Sequence, residues 1–231
     1  MKQKESPETS LWISTTDLMS GLLVVFLFVA VLMNEDIQAL TEERSGTYQK
    51  LDEMLDEKFT PAERAAYNLQ SNGTGNIGHA SFSNTEVNFA QGSERITPEF
   101  AKVLDNFLPK YISAIRACDA DNIKEIRIEG HTSSEWEWYV TPDQAYINNM
   151  RLSQNRTREI IKYALAMDCF TNEDKDFIKD KLTANGLSSS HLIYKEDGTE
   201  DAEASRRIEF RVVTNDDKYM HEIEERMGNG K

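Results

Sequence analysis

The longest run of apolar residues lies near the N-terminus, at residues 11–33 (LWISTTDLMSGLLVVFLFVAVLM). As a helix this run would rise about 34 Å, which exceeds the roughly 30 Å hydrocarbon core of a bilayer. A cleaved signal peptide is the alternative, but it would have a shorter apolar core and a small-residue cleavage site. Here the run is followed by Asn34, Glu35 and Asp36. The pattern therefore predicts a single transmembrane helix over 11–33.

The charges on the two sides of this predicted helix differ in sign. Lys2 and Lys4 lie in the short tail 1–10, whereas Glu35 and Asp36 open the other flank. Because positively charged flanks stay on the cytoplasmic side, we expect a cytoplasmic tail. The rest of the chain would then lie across the membrane, which for a bacterial inner-membrane protein is the periplasm.

Asp17 is the one acidic residue inside the predicted helix. It could cap a helix that starts at Leu18, at the water interface. Leu18 to Met33 would however rise only about 24 Å, so the bilayer is expected to draw in residues upstream of Leu18. An acid at that depth costs about 3 kcal/mol and is normally retained for ion or proton handling against partner helices. Both interpretations of Asp17, cap and proton carrier, remain open from spacing alone.

Residues 34–78 follow as a predicted linker. The part over 34–57 is acidic, with apolar residues at loosely helical spacing, which fits a solvated linker helix or a plug-like helix. Thr60 and Glu63 form a capping box around Pro61, which predicts a short helix reaching about Gln70.

A Gly- and Asn-rich run at 71–78 (SNGTGNIG) then predicts a domain boundary. A folded domain is expected over 79–214, followed by an acidic C-terminal tail over 215–231. Hydrophobic periodicity within the domain alternates between periods typical of strands and of helices. Strands are predicted at 86–90, 123–130, 192–194 and 207–213, and helices after Thr97, over 152–167 and after Thr171.

The order β-α-β-α-β-β, with one more short helix after the second, predicts an α+β domain. We expect a mixed sheet with its helices on one face. Cys118 and Cys169 each end a predicted helix that returns to this sheet, so the two could lie close together. In an oxidising periplasm they could form a disulfide.

Charge and residue spacing exclude several classes of function. The net charge is -14, with 26 basic and 40 acidic residues, which leaves no phosphate-neutralising surface for direct nucleic-acid binding. No spacing among the four histidines and two cysteines indicates a metal site. No nucleophile with a matching base stands out either, so neither an enzyme nor a bound cofactor is expected.

Three motifs in the C-terminal half resemble the OmpA-like peptidoglycan-binding domain. They are Gly130-His131-Thr132 after a strand, Asn149-x-x-Leu152-Ser153-x-x-Arg156 on a helix, and Arg206-Arg207-Ile208-Glu209 at the last strand. The resemblance implies an OmpA-like fold for the periplasmic domain. It also implies that peptidoglycan contacts come from His131, Thr132, Ser133, Asn149, Leu152, Arg156 and Arg207.

The start of the predicted membrane helix, Trp12 with Asp17-Leu18-Met19, resembles the MotB class of stator subunits. In that class this aspartate carries protons, which are the coupling ion. The segments STTDLMSGLLVVFLFVAVL, GHTSSEW and SRRIEFRVV resemble most closely the B subunits of Zorya anti-phage defence systems. That resemblance implies two copies of the chain inside a ring of MotA-like polytopic A subunits, anchored to peptidoglycan. A flagellar stator subunit and a passive, membrane-tethered wall anchor are the alternatives.

Two departures from the family pattern bear on the site. Many OmpA-like domains carry an aspartate, which binds the diaminopimelate amino group, where this chain has Ser133. Ser133, Ser134 or Glu135 would have to replace it, or binding is altered. The following loop is about eight residues longer than the common pattern and contains three aromatic residues, which could stack on sugar rings or pack the enlarged loop. They are Trp136, Trp138 and Tyr139.

Overall fold

The computed structural model describes residues 18–32, 49–72, 76–83, 88–90, 92–118 and 122–215. The chain divides into two compact units, one holding 1–44 together with 217–231 and the other holding 45–216. The predictions for Asp17, for the segment 33–48 and for the tail after 215 fall outside the described residues.

In the first unit, residues 18–32 form a helix, α1. Its apolar side chains are exposed, among them Leu22, Phe26 and Val29. Over the described ranges, no helix combines the length and the apolar character needed to cross a membrane.

The second unit is built on a five-stranded mixed sheet with the order β1-β2-β5-β3-β4. The strands are β1 Gln70–Asn72, β2 Asn76–Ser83, β3 Ile123–His131, β4 Leu182–Ser188 and β5 Arg207–Thr214. β3 and β4 pair in parallel, while the other neighbours are antiparallel. The predicted α+β domain with a mixed sheet is confirmed.

Six helices are described in this unit. They are α2 (49–58), α3 Pro61–Ala66, α4 Pro98–Ala117, α5 Pro142–Ala166, α6 Asn172–Lys181 and α7 Ala202–Ser205. Thr60, Thr97, Thr141 and Thr171 cap α3 to α6, each accepting a hydrogen bond from the backbone nitrogen three residues on. The predicted starts at Thr60, Thr97 and Thr171 are confirmed. α5 begins ten residues before the predicted Leu152, because Thr141 and Gln144 form a capping box around Pro142.

The core lies between the sheet and the helices. Phe210 on β5 packs against Phe107 and Tyr111 of α4, with ring centroids 5.1 and 5.8 Å apart. Leu51 and Leu55 of α2 are fully buried in the same cluster. The predicted linker over 34–78 is therefore wrong for its second half, since residues from α2 onward belong to the compact unit and to its core.

Two predicted strands differ from the structure. Of 86–90 the structure describes 88–90, where Phe89 makes an isolated bridge to Ile96. The strand that pairs with β5 on the side away from β3 is β2, whose first residues overlap the run 71–78. The described residues at its two ends, 71–72 and 76–78, belong to β1 and β2, which pair antiparallel. Glycine and asparagine are common in connections between paired strands as well as between domains, so composition alone did not separate the two cases.

The strand expected at 192–194 is reduced to a bridge from Tyr194 to Glu200. The strand that pairs with β3 in parallel is β4, which has few large apolar residues. Gly186 lets α5 approach β4 closely, because a Cβ atom there would lie 2.5 Å from the backbone nitrogen of Gln154.

Cys118 and Cys169 are both free thiols, so the disulfide considered from the sequence does not form in this structure. Cys118 is buried in the core at the end of α4, where its Sγ donates to the carbonyl oxygen of Ala114 at 3.4 Å. Cys169 is exposed in the turn after α5. The backbone would have to move before the buried Cys118 thiol could form a disulfide with the exposed Cys169.

Candidate functional site

A pocket of about 460 Å³ opens beside the loop that follows β3. The predicted residues Thr132, Ser133, Asn149, Leu152 and Arg156 all line it. Glu135 and Trp136, which the sequence analysis considered for the ammonium group and for sugar stacking, also line it. The remaining lining residues, which the sequence did not assign to binding contacts, are Phe89, Gly92, Glu137 and Arg206.

Asn149 holds the loop on one side of the pocket. Its Nδ2 donates to the backbone oxygens of Ser133 (3.1 Å) and Glu135 (3.2 Å), and the residue is 3% exposed. The loop is also fixed at Thr132, whose nitrogen donates to Ser188 O at 2.9 Å. Asn149 therefore uses its amide donors on the protein, and it positions the loop.

Arg156 forms the floor of the pocket. Its Nε donates to Ser93 O at 2.9 Å, and Nη2 donates to Ala90 O at 3.4 Å. The guanidinium carbon lies 5.1 Å from the centroid of the Phe89 ring, within cation–π range. Burial, together with the charge of Arg206, lowers the pKa of Arg156 to about 10, so the group stays protonated at neutral pH. Within the described part of the chain, Nη1 has no hydrogen-bond partner and is left for a ligand.

Arg206 is the second cation of the pocket. Its Nη1 lies 3.2 Å from Glu135 Oε2 and 3.5 Å from Ser133 Oγ. Two guanidiniums lining one pocket make it suited to a carboxylate, which arginine can bind through two parallel hydrogen bonds.

His131 and Arg207 do not line the pocket, although both were predicted binding residues. Arg207 Nε donates to Glu209 Oε1 at 2.6 Å, and His131 Nε2 lies 3.7 Å from Glu209 Oε2. Side chains alternate between the two faces of a strand, so Arg207 and Glu209 lie on the face opposite Ile208 and the core. Of the two adjacent arginines, Arg206 lines the pocket and the predicted Arg207 does not, because register cannot be read from the RR pair alone.

The pocket also presents acids. Glu135 pairs with Arg206, whereas Glu137 has no ion-pair partner among the described residues. Ser133 is 4% exposed and neutral, so its side chain cannot supply the charge of the family aspartate. A pocket with two guanidiniums and one unpaired carboxylate suits a ligand that carries both a carboxylate and an ammonium group.

The aromatic residues of the long loop separate into two sets. Trp136 lines the pocket. Trp138 is 92% exposed and Tyr139 is 69% exposed, with ring centroids 5.9 Å apart and ring planes nearly perpendicular. The packing role considered for these residues therefore does not hold for Trp138, which remains almost fully in solvent.

Comparisons with known proteins give three findings. The OmpA family matches residues 88–207. The Zorya protein ZorB of Escherichia coli (strain ATCC 8739, Crooks) is 32% identical over 233 aligned residues, which cover 95% of this chain and 94% of that protein. Two solved structures are similar at lower identity. A MotB-like protein from Desulfovibrio vulgaris is 17% identical, with a TM-score of 0.45, covering 76% of this chain and 93% of that one. The periplasmic domain of Helicobacter pylori MotB is 15% identical, with a TM-score of 0.42, covering 63% and 82%.

Proposed function

The chain belongs to the OmpA family and, along almost its whole length, to the family of the Zorya protein ZorB, and from this we propose that it is a cell-wall-anchored stator subunit. In this proposal, residues 11–33 span the bacterial inner membrane once, with the N-terminal tail in the cytoplasm. The unit over 45–216 lies in the periplasm and binds peptidoglycan.

The pocket around Arg156 is the observation that carries the anchoring role. The stem peptides of peptidoglycan present carboxylates, and those with diaminopimelate also present an amino group. Arg156 and Arg206 bind the carboxylate, because both guanidiniums line the pocket. Glu137 binds the ammonium group. It thereby takes the role of the aspartate that many OmpA-like domains have at the position of Ser133.

The motor role rests on Asp17. We propose that two copies of the chain pair inside a ring of MotA-like polytopic A subunits and that Asp17 carries protons between the paired helices and the ring. The resemblance to stator subunits supports this, as does the cost of an unpaired acid at bilayer depth. Proton flow would drive the ring in an anti-phage response.

Anchoring is tested by sedimenting purified peptidoglycan sacculi with the full-length protein in mild detergent. Arg156→Ala removes the buried guanidinium and is expected to lower the bound fraction at least tenfold. Arg158→Ala is the matched control, because Arg158 lies two residues further along α5 and is exposed. Undiminished binding by a folded Arg156→Ala variant would contradict the anchoring role of this pocket.

The motor role is tested by Asp17→Asn in cells that carry the complete system. The change keeps the shape of the side chain and removes the proton site, so phage protection should be lost while sacculus binding persists. Glu35→Gln, just beyond the predicted span, is the control and should retain protection. Phage protection that survives Asp17→Asn would contradict proton carriage by Asp17 and favour a passive wall anchor. A variant that loses swimming and keeps phage protection would indicate a flagellar stator subunit.

A further inference from the structure

A second cluster of polar side chains lies on the face of the sheet opposite the core. This histidine–glutamate cluster consists of His79 on β2, Glu129 and His131 on β3, and Glu209 on β5. Glu129 and Glu209 are directly opposite each other in the β3–β5 pair. Three strands that are distant in sequence therefore meet at one group of potential ligand atoms.

The two histidines of the cluster lack ordinary partners. His131 is 3% exposed, and the side chain of His79 is 12% exposed. Across the part of the chain that the structure describes, none of their four ring nitrogens makes a hydrogen bond of good geometry. Buried polar atoms are nearly always satisfied, so these nitrogens indicate a partner that binds from within the cluster.

Three members of the cluster, Glu129, His131 and Glu209, lie close enough together to share one metal ion, and His79 lies beside Glu209. Glu209 Oε2 lies 3.2 Å from His79 Nε2 and 3.7 Å from His131 Nε2. Ligand atoms of Glu129, His131 and Glu209 all lie within 4.8 Å of one another. Tetrahedral zinc, with bonds of about 2.0–2.1 Å, places neighbouring ligand atoms about 3.4 Å apart. Small side-chain rotations would complete such a site.

The nearby arginines are compatible with a metal ligand at Glu209. Arg207 Nε donates to Oε1 at 2.6 Å, which orients the carboxylate and leaves Oε2 toward the histidines. Arg211 contacts both carboxylates, with Nη2 3.2 Å from Glu209 Oε2 and Nε 3.5 Å from Glu129 Oε2. Its side chain is 36% exposed and can turn toward solvent when a cation binds.

We propose that Glu129, His131 and Glu209 bind a divalent transition metal, with His79 as the fourth ligand and Zn²⁺ as the ion that this donor set fits best. Imidazole nitrogen with carboxylate oxygen is a donor set typical of zinc. The ion would join β2, β3 and β5 on the face away from the pocket, so its role is structural. The inference is independent of the peptidoglycan pocket.

The test is a metal titration of the full-length protein in detergent after removal of bound metal with EDTA. Cobalt(II) should give the intense visible absorption of a four-coordinate site at one ion per chain, and Zn²⁺ should displace it. Free Zn²⁺ at 100 times its dissociation constant should raise the melting temperature by about 5 to 10 °C. Absence of the absorption and of the shift would overturn the proposal.

Variants assign the ligands. His79→Gln and His131→Gln should each abolish the cobalt absorption and the zinc-dependent shift. His191→Gln is the matched control, because the His191 ring contacts His131 at 6.0 Å between centroids yet is exposed and outside the cluster. Unchanged cobalt absorption in both folded cluster variants would overturn the assignment. If one variant fails to fold, the titration of the wild-type protein still shows whether the chain binds the metal.

Discussion

The side-chain amide of Asn149 donates to the backbone oxygen of Ser133 across 3.1 Å, which ties helix α5 to the loop beside the pocket. The same nitrogen also donates to Glu135 O at 3.2 Å. Side chains of this loop line the pocket, so the shape of the pocket depends on Asn149. Both hydrogen bonds that the Asn149 amide donates are made to the protein itself.

Asn149→Ala removes both hydrogen bonds and leaves the buried oxygen of Ser133 without this donor. We expect a loss of about 1–3 kcal/mol in the free energy of unfolding, measured with denaturant. Sacculus binding should weaken as well, because the loop loses its support. Asn148→Ala, at the neighbouring and more exposed position, should change neither quantity. Equal stability of the two variants would argue against the positioning role.

Glu137→Gln keeps the size of the side chain and removes its charge. If Glu137 binds the stem-peptide ammonium, sacculus binding should fall about tenfold, since one charge-assisted contact contributes roughly 1.5–3 kcal/mol. Glu173→Gln, an exposed change on α6, is the control. Sacculi whose free amino groups are acetylated should bind wild type and Glu137→Gln equally. Unchanged binding of the variant to untreated sacculi would exclude Glu137 as the ammonium partner.

Trp138→Ala should leave stability unchanged, because the side chain is 92% exposed. If this ring stacks on sugars next to the pocket, the variant will bind sacculi less well than wild type. It will bind a sugar-free stem peptide as well as wild type does. Tyr194→Ala is the control for loss of an exposed aromatic ring, since Tyr194 is 61% exposed. Equal losses toward both ligands would assign Trp138 to shaping the pocket.

Glu63 links α3 to α4 and makes stability depend on pH. Hydrogen bonds from Asn106, Lys110 and the Thr60 backbone lower the pKa of Glu63 to about 2. A carboxyl with a lowered folded-state pKa stabilises the fold above its unfolded value near 4.5, and this stabilisation is lost as pH falls toward 2. Glu63→Gln keeps the capping box but removes the charge. The difference in unfolding free energy between wild type and variant should therefore shrink between pH 4.5 and 2. A constant difference would contradict this assignment.

Local signals in the sequence predicted the parts of the fold that are determined locally. Thr60, Thr97 and Thr171 each begin a helix, because a capping threonine acts through neighbours three residues away. β4 was missed, because its sequence LTANGLS has little strand character and pairs with β3 through a distant contact. The strand propensity of a segment does not show which distant strand it pairs with.

The part of the candidate site that lies on one helix was predicted from the sequence, and the parts that lie on strands were not. The helix motif placed Asn149, Leu152 and Arg156 at the pocket, since residues three and four apart share a helix face. The sequence analysis named Arg207, whereas Arg206 lines the pocket. A shift of one residue along a strand moves the side chain to the opposite face of the sheet. The histidine–glutamate cluster gave no sequence signal, because His79, His131 and Glu209 are brought together only by the order of the strands.

Calorimetric titration with a purified, soluble muropeptide measures whether the Arg156 pocket binds a peptidoglycan stem peptide. Full-length wild type should bind with one site per chain. Arg156→Lys, which keeps the charge but loses the planar guanidinium and its several donors, should bind at least tenfold more weakly. Arg158→Lys should bind as wild type does. Binding of equal strength by wild type and Arg156→Lys, or no binding by wild type, would contradict the account.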